Sequence, residues 1–179
     1  PGMTIDNADF HKLDVVNEKL GHGSAGRLFE VLRLQRGYTY GASSAFTSNL
    51  ETGYFHAASS VQGSSTKESL ALFKEIFSTF GPEYTQEKLD GVKGAMLRSN
   101  ASAFETTSSL VGLLSSIRNY NLPDDYITKE EDVVNAMTLD DIKAMATEYL
   151  NVNNMIIVVV GDAATQLKNV PGAKVIKAI

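Results

Sequence analysis

The sequence lacks cysteine, long apolar runs and any block of charges of one sign. Without cysteine, the chain can form no disulfide, no thiolate metal site and no cysteine nucleophile. Its longest apolar run, residues 155–160, is far too short to span a membrane as a helix. The net charge is −5 with acidic and basic residues interspersed, whereas a nucleic-acid surface clusters lysine and arginine. The composition therefore argues against a membrane span and a nucleic-acid partner.

Histidine is scarce, and the three present are His11, His22 and His56. None stands in an H-x-x-E-H or H-x-x-x-H arrangement, and a catalytic zinc site needs at least three convergent protein ligands. We therefore expect no metal site in this chain, with His22 in a turn and His56 in a groove or on the surface. No G-x-S-x-G motif supports a serine nucleophile.

The glycine-rich residues 21–26 have some similarity to a phosphate-binding loop. They follow a helical pattern rather than a strand, however, and they lack the Gly-Lys-Ser/Thr ending. Nucleotide binding is accordingly disfavoured.

Local patterns predict a single α+β domain over residues 1–179, because 43% apolar content at this length suffices for one core. Residues 9–20 have helical periodicity, and a second helix ends at Arg36-Gly37, where glycine suits the left-handed cap. From Tyr38 the period changes to two, and residues 49–53 supply turn chemistry, which predicts an antiparallel hairpin. Each predicted strand has one shared face: Tyr38, Tyr40, Ala42, Ser44 and Phe46 on the first, and Tyr54, His56, Ala58, Ser60 and Gln62 on the second.

Helices dominate the rest of the chain. Capping-box patterns at Ser65/Glu68 and Thr138/Asp141 begin two of them. The β-branched residues 155–160 predict a central strand covered on both faces. The expected architecture is a mixed, largely antiparallel sheet with helices packed on one face.

Residues 17–41 carry the most specific pattern, in which Asn17, Leu20-Gly21, Arg27-Leu28, Leu32-Arg33, Arg36-Gly37 and Tyr40 follow in register. Downstream elements continue it: Phe104-Glu105-Thr106, then Val133, Met137-Thr138 and Asp141, and finally residues 158–162. Together they resemble the C-terminal, non-zinc domain of pitrilysin/insulinase metallopeptidases, the inverted zincins. His22, Ser24 and Gly26 depart from the family pattern and affect the expected loop shape.

The resemblance implies that Arg33 and Tyr40 reach across to the zinc site of a partner domain and engage the substrate carbonyl oxygen. A guanidinium and a phenol are donors suited to developing negative charge. Arg36 is a weaker candidate for substrate contact, and Glu105 is interpreted as a helix-start carboxylate rather than a site residue. The implied partners are a zinc-bearing H-x-x-E-H sister domain or subunit and an extended peptide, with zinc held only by that sister.

Family domains usually begin with one or two strands before the first long helix. The chain is therefore expected to be a fragment lacking its first strand or strands, which leaves a sheet edge open. Two alternatives to the peptidase role stay open at this point. One is a proteolytically inactive structural or docking subunit, and the other is a free-standing peptide-binding module. By family alone, the expected location is the periplasm of a bacterium.

Overall fold

The computed structural model describes residues 2–102 and 104–176. Helices make up most of the described residues and frame a single β-hairpin among them. The helices are α1 (Phe10–Leu20), α2 (Arg27–Phe29, continued by a π-helical turn over Glu30–Gln35), α3 (Thr66–Thr79), α4 (Gln86–Ser102), α5 (Thr107–Tyr120), α6 (Tyr126–Ala136), α7 (Leu139–Tyr149) and α8 (Ala163–Asn169). The strands are β1 (Thr39–Ser48) and β2 (Gly53–Val61). No helix among the described residues is both long and apolar enough to cross a membrane.

The core lies where α1 meets β1 and the helices α4, α6 and α7. The apolar face predicted for the first helix is confirmed, because Leu13, Val16 and Leu20 are fully buried. Burying a leucine side chain stabilises a fold by roughly 1.5–3 kcal/mol relative to exposure, so this face anchors α1. The helix α5, by contrast, contributes no buried residue.

The hairpin is antiparallel and its turn is closed by Asn49, whose side-chain Oδ1 accepts from the backbone N–H groups of Glu51 and Thr52 at 2.8 Å. Its inner face packs on α1 and α2, and Phe55 of β2 contacts Phe77 of α3, whereas its outer face is open to solvent. The shared face predicted for β2 is confirmed for Tyr54, His56, Ala58 and Ser60, which are all exposed because burial alternates along the whole strand, whereas Gln62 follows its end. With helices on one side of an antiparallel pair, the α+β fold class is confirmed.

Two local predictions are wrong. Residues 155–160 belong to no strand in the described part of the chain, and Ile156, Val158 and Val160 are exposed instead of doubly covered. A strand needs a neighbouring backbone edge to bond to, and residues 156–160 make no backbone hydrogen bond to another of the residues that the structure describes. At Ser65, a turn of 3₁₀-helix precedes α3 and the serine side chain makes no capping bond. The second capping box, Thr138 with Asp141, is present as predicted.

Candidate functional site

Tyr40 lies on a β-bulge near the start of β1. Thr39 pairs with Val61 and Ala42 pairs with Ser59, so β1 has one extra residue over this interval. A bulge of this kind bends the strand and redirects a side chain, and bulges are frequent beside active sites. Tyr40 is consequently 91% exposed, while Thr39 and Ala42 on either side are buried. The expectation that Tyr40 shares a face with Ala42 and Ser44 is therefore wrong.

The hydroxyl of Thr39 holds the bulge together. Its Oγ1 accepts from the backbone N–H of Gly41 at 3.0 Å and donates to the carbonyl of Ser60 at 2.7 Å. The bulge leaves backbone groups without ladder partners, and this buried hydroxyl satisfies two of them. Sequence reasoning missed Thr39, although Gly41, two residues further on, is a glycine inside a strand pattern and such a glycine is a signal for a bulge.

Arg33 lies in the π-helical turn that ends α2. Gly37 follows in the left-handed conformation at φ +66°, and its N–H donates to the carbonyl of Arg33 at 3.1 Å. The glycine cap predicted from the sequence is thus confirmed. Tyr38 then donates its N–H to the carbonyl of Leu32 at 3.0 Å, which fixes the direction in which the chain enters β1. Single π-turns of this type are frequent at functional sites.

The structure brings Arg33 and Tyr40 together. The Cζ atom of Arg33 lies 5.1 Å from the centre of the Tyr40 ring, within the range of a cation–π contact. Among the described residues, neither the Arg33 guanidinium nor the Tyr40 hydroxyl has a hydrogen-bond or ion-pair partner. Both donors are therefore free to bind a group outside the chain. Arg36 is also exposed and lies one helical turn beyond Arg33.

The hairpin is fixed to α1 by a buried polar contact. Asn17 donates its side-chain N–H to the carbonyl of Ser44 at 3.0 Å, and the Ser44 hydroxyl donates to Asn17 Oδ1 at 2.7 Å. The Ser44 N–H donates to the carbonyl of Gly21 at 3.2 Å. A Cβ at Gly21 would collide with Oγ and the backbone nitrogen of Ser44, so this position requires glycine. The motif residues Asn17 and Gly21 thus set the position of β1 relative to α1.

The other sequence candidates do not converge on this pair. His11 is buried on α1 with Nδ1 3.7 Å from Asp14, His22 is exposed in the loop, and His56 lies on the outer face of β2. Glu105 is exposed ahead of α5, whose N-cap is Thr106. Within residues 2–102 and 104–176, no group of three His, Cys, Asp or Glu side chains could hold a metal ion. The described residues therefore do not fit a zinc ion.

A family model described as the peptidase M16 inactive domain matches residues 1–96, more than half of the chain. The chain belongs to the peptidase M16 inactive-domain family. This M16 domain therefore has the identity that its resemblance to the non-zinc half of pitrilysin/insulinase peptidases implied. The match contains the whole of the Arg33–Tyr40 arrangement.

Individual relatives agree with this assignment. The non-peptidase homolog YmxG of Helicobacter pylori is 26% identical over 159 residues, which cover 86% of the M16 domain and 36% of YmxG. The crystal structure of a peptidase M16 inactive domain from Pseudomonas fluorescens superposes with a TM-score of 0.74 at 28% identity, covering 84% of this chain and 36% of that one. The inactive peptidase domain of a proposed zinc protease from Bordetella parapertussis shares the fold, with a TM-score of 0.70 at 21% identity and coverage of 85% and 83%. The M16 domain spans about a third of the length of the first two relatives.

Proposed function

We propose that this M16 domain is the substrate-binding, non-zinc half of a zinc metallopeptidase, in which Arg33 and Tyr40 complete the zinc site of a partner domain. The observation that carries the proposal is the paired geometry: two free donors, 5.1 Å from guanidinium carbon to ring centre, lie together at the surface. A lone exposed arginine or tyrosine is ordinary, whereas a bulge and a π-turn that converge on one pair of donors require a common reason.

The chemistry assigned to these residues is binding of an oxyanion. Peptide hydrolysis builds negative charge on the scissile carbonyl oxygen, and pre-positioned donors stabilise that charge more than they stabilise the substrate. Arg33 carries a permanent positive charge, and the Tyr40 hydroxyl donates one hydrogen bond. The guanidinium stacked on the Tyr40 ring restricts both side chains before substrate arrives, which lowers the entropic cost of binding. Zinc in the partner domain would polarise the carbonyl and activate the attacking water.

The hairpin supports the proposed binding of an extended peptide. The outer face of β2 carries exposed Tyr54, His56, Ala58 and Ser60, and β1 presents Gly41 and Ser43 to solvent beside Tyr40. Apart from the aromatic Tyr54, these side chains are small or polar, so most of the surface offers little sequence preference. Substrates of this site would accordingly be unfolded peptides recognised mainly through backbone groups.

The proposal is tested by cleavage of a quenched fluorescent peptide by the complete enzyme, comparing the wild type with Tyr40→Phe. We expect kcat/KM to fall at least about tenfold, a loss of ~1.4 kcal/mol in transition-state stabilisation, with zinc content and unfolding temperature unchanged. Tyr120→Phe, at the end of α5 and outside this arrangement, is the matched control and should retain wild-type activity. An unchanged kcat/KM in the Tyr40→Phe enzyme would overturn the role assigned to Tyr40.

A second candidate function is a proteolytically inactive structural or docking subunit. It is favoured by one specific observation, namely that the relative YmxG bears the description non-peptidase homolog. The two functions separate in the same assay. A zinc-loaded complete protein that binds the peptide but cleaves neither it nor a denatured protein would favour the docking role. Zinc-dependent cleavage that needs Tyr40 would favour the peptidase role.

A further inference from the structure

The outer face of the hairpin carries small side chains with one exception. Along β2 the exposed positions are Tyr54, His56, Ala58 and Ser60, and the β1 residues paired with His56 and Ala58 are Ala45 and Ser43. Only Tyr54 and His56 in this set carry a ring. They therefore project above a surface of alanine and serine, and we call them the aromatic pair.

The two rings of the aromatic pair lie against each other at the surface. Their centres are 5.8 Å apart and their planes are inclined by 42°, which is within the range of a tilted aromatic contact. Residues two apart on a strand project from the same face, so β2 itself holds the rings side by side. Tyr54 is 53% exposed, and the residue opposite it on β1 is Thr47 rather than a third ring. The pair is thus a preformed platform of two rings whose outer surface faces solvent.

Tyr40 lies on the same face of the hairpin as the aromatic pair. The bulge places Tyr40 and Gly41 together opposite the single residue Ser60 of β2. Ser60 is exposed on the outer face, and Tyr40 is almost fully exposed beside it. Arg33 lies over the ring of Tyr40. One continuous surface therefore leads from the Arg33–Tyr40 donors along β2 to the aromatic pair.

The distance between these two features corresponds to a short stretch of extended peptide. His56 and Tyr54 precede Ser60 by four and six residues. Because a strand rises about 3.3 Å per residue, they lie roughly 13 and 20 Å from Ser60. The surface between them consists of Ala58 and its partner Ser43, whose small side chains leave room for a bound chain. A peptide whose scissile carbonyl lies at Tyr40 therefore brings a side chain roughly four to six residues away over the aromatic pair.

The composition of the hairpin determines which side chain the aromatic pair suits. Neither β1 nor β2 contains Asp, Glu, Lys or Arg, so a charged substrate side chain would find no counter-ion of fixed charge on these strands. An aromatic side chain can pack on both rings in tilted or edge-to-face geometry while the polar tips of Tyr54 and His56 stay in water. A small aliphatic side chain would cover less of the platform. An aromatic ring is therefore the class of ligand that fits both the shape and the polarity of the pair.

We propose that Tyr54 and His56 form a subsite for an aromatic side chain of the substrate peptide, roughly four to six residues from the bond that is cleaved at Arg33 and Tyr40. The proposal rests on the proposed function, since it takes the Arg33–Tyr40 donors as the point of cleavage. It adds a sequence preference to a surface that otherwise recognises the peptide backbone. It also assigns a role to two exposed rings that lie outside the hydrophobic core.

Cleavage of a set of quenched fluorescent peptides by the complete enzyme tests the proposal. The peptides consist of Ala and Ser with one Phe, which is placed at increasing distances from the scissile bond on either side, and mass spectrometry of the products identifies the bond. On one side of the bond, kcat/KM should be about fivefold to tenfold higher with Phe than with Ala at the predicted positions. In the Tyr54→Ala/His56→Ala double variant this advantage should be lost there and be unchanged at every other position. His56→Phe, which keeps a ring, should retain it.

Phe104→Ala is the matched control, because it removes an exposed ring outside the hairpin, and it should retain the full advantage of the Phe peptides. An advantage of the same size in the double variant and in the wild type would overturn the proposal. An equal advantage for Lys or Glu at the predicted positions would overturn it as well, since the pair would then not select an aromatic ring.

Peptide binding without cleavage separates a failure of this inference from a failure of the proposed function. After zinc is removed with a chelator, fluorescence anisotropy measures the affinity of the complete protein for each Phe peptide and for its Ala counterpart. Tighter binding of a Phe peptide that requires Tyr54 and His56 supports the subsite, even where the zinc-loaded protein cleaves no peptide. Cleavage that requires Tyr40 but never depends on the aromatic pair supports the proposed function and overturns the subsite.

Discussion

Asn17 and Ser44 exchange two hydrogen bonds across the boundary between α1 and β1, at 3.0 and 2.7 Å. Both residues are buried, and they form a polar connection between the first helix and the hairpin that carries Tyr40. Because the donor and acceptor satisfy each other, truncation of either residue leaves a buried polar group without a partner.

The first prediction concerns this pair. Asn17→Ala and Ser44→Ala should each lower the free energy of unfolding by about 1–3 kcal/mol, since each leaves a buried group unsatisfied. The double variant should lose less than the sum of the two, as expected for residues in direct contact. Urea denaturation of the complete protein measures all three values. Ser43→Ala, exposed and next in sequence, is the control, and strict additivity would contradict a coupled pair.

The second prediction concerns Gly21. Its α-carbon lies against the backbone of Ser44, which cannot move without disturbing β1, so a methyl group there forces a backbone shift. Gly21→Ala should therefore destabilise the domain by about 1–3 kcal/mol. Gly91→Ala is the matched control, because nothing lies within 4 Å of a Cβ built at that helical position. Gly91→Ala should raise the free energy of unfolding of the domain by up to about 1 kcal/mol, whereas Gly21→Ala should lower it.

The third prediction concerns the bulge at Thr39 and rests on the proposed function. Thr39→Val keeps the shape of the side chain but removes the hydroxyl that bonds Gly41 and Ser60. The direction of Tyr40 is then no longer fixed, and kcat/KM for peptide cleavage should fall about tenfold, or ~1.4 kcal/mol. Thr47→Val, exposed on the same strand, should have no effect on cleavage. A Thr39→Val enzyme of reduced stability but unchanged kcat/KM would show that the bulge serves folding alone.

The fourth prediction concerns pH and the cap of α7. Hydrogen bonds from the side chain and backbone of Thr138, with Lys12 at 3.4 Å, hold the pKa of Asp141 below its ordinary value. A carboxyl whose pKa is lower in the folded state contributes stability above its unfolded pKa, and that contribution is lost as pH falls through the folded value. Asp141→Ala should therefore destabilise the domain by about 1 kcal/mol at pH 7. The difference in the free energy of unfolding between variant and wild type should become smaller below about pH 4.

Asp140→Ala provides the comparison for that measurement. Asp140 is the neighbouring carboxyl in the first turn of α7, but its side chain is 96% exposed. In chemical denaturation at pH 7, 4 and 3, Asp140→Ala should lower the free energy of unfolding less than Asp141→Ala does. Its effect should also depend less on pH. A difference in the free energy of unfolding between Asp141→Ala and the wild type that stays constant down to pH 3 would contradict the loss of this contribution on protonation of Asp141.

Sequence reasoning succeeded wherever a local pattern dictates the local structure. The buried face of α1, the glycine cap at Gly37 and the capping box at Thr138 all depend on residues within a few positions of one another. It failed at Ser65, because the choice between a capping box and a 3₁₀ turn depends on how the preceding chain leaves β2. The proximity of Arg33 and Tyr40 came from family resemblance, and helix and strand periods alone would not have predicted it.

The sequence by itself determined the helices, the hairpin and its turn, the family, and the identities of the two donors in the candidate site. Only the tertiary structure decided that Tyr40 turns out of the strand face and that residues 155–160 pair with no strand in the described ranges 2–102 and 104–176. The physical reason is the same in both cases. Periodicity of side chains specifies which face of an element is apolar, but pairing of backbone edges depends on groups distant in sequence. Strand register, bulges and unpaired strand edges are therefore determined only by the tertiary structure.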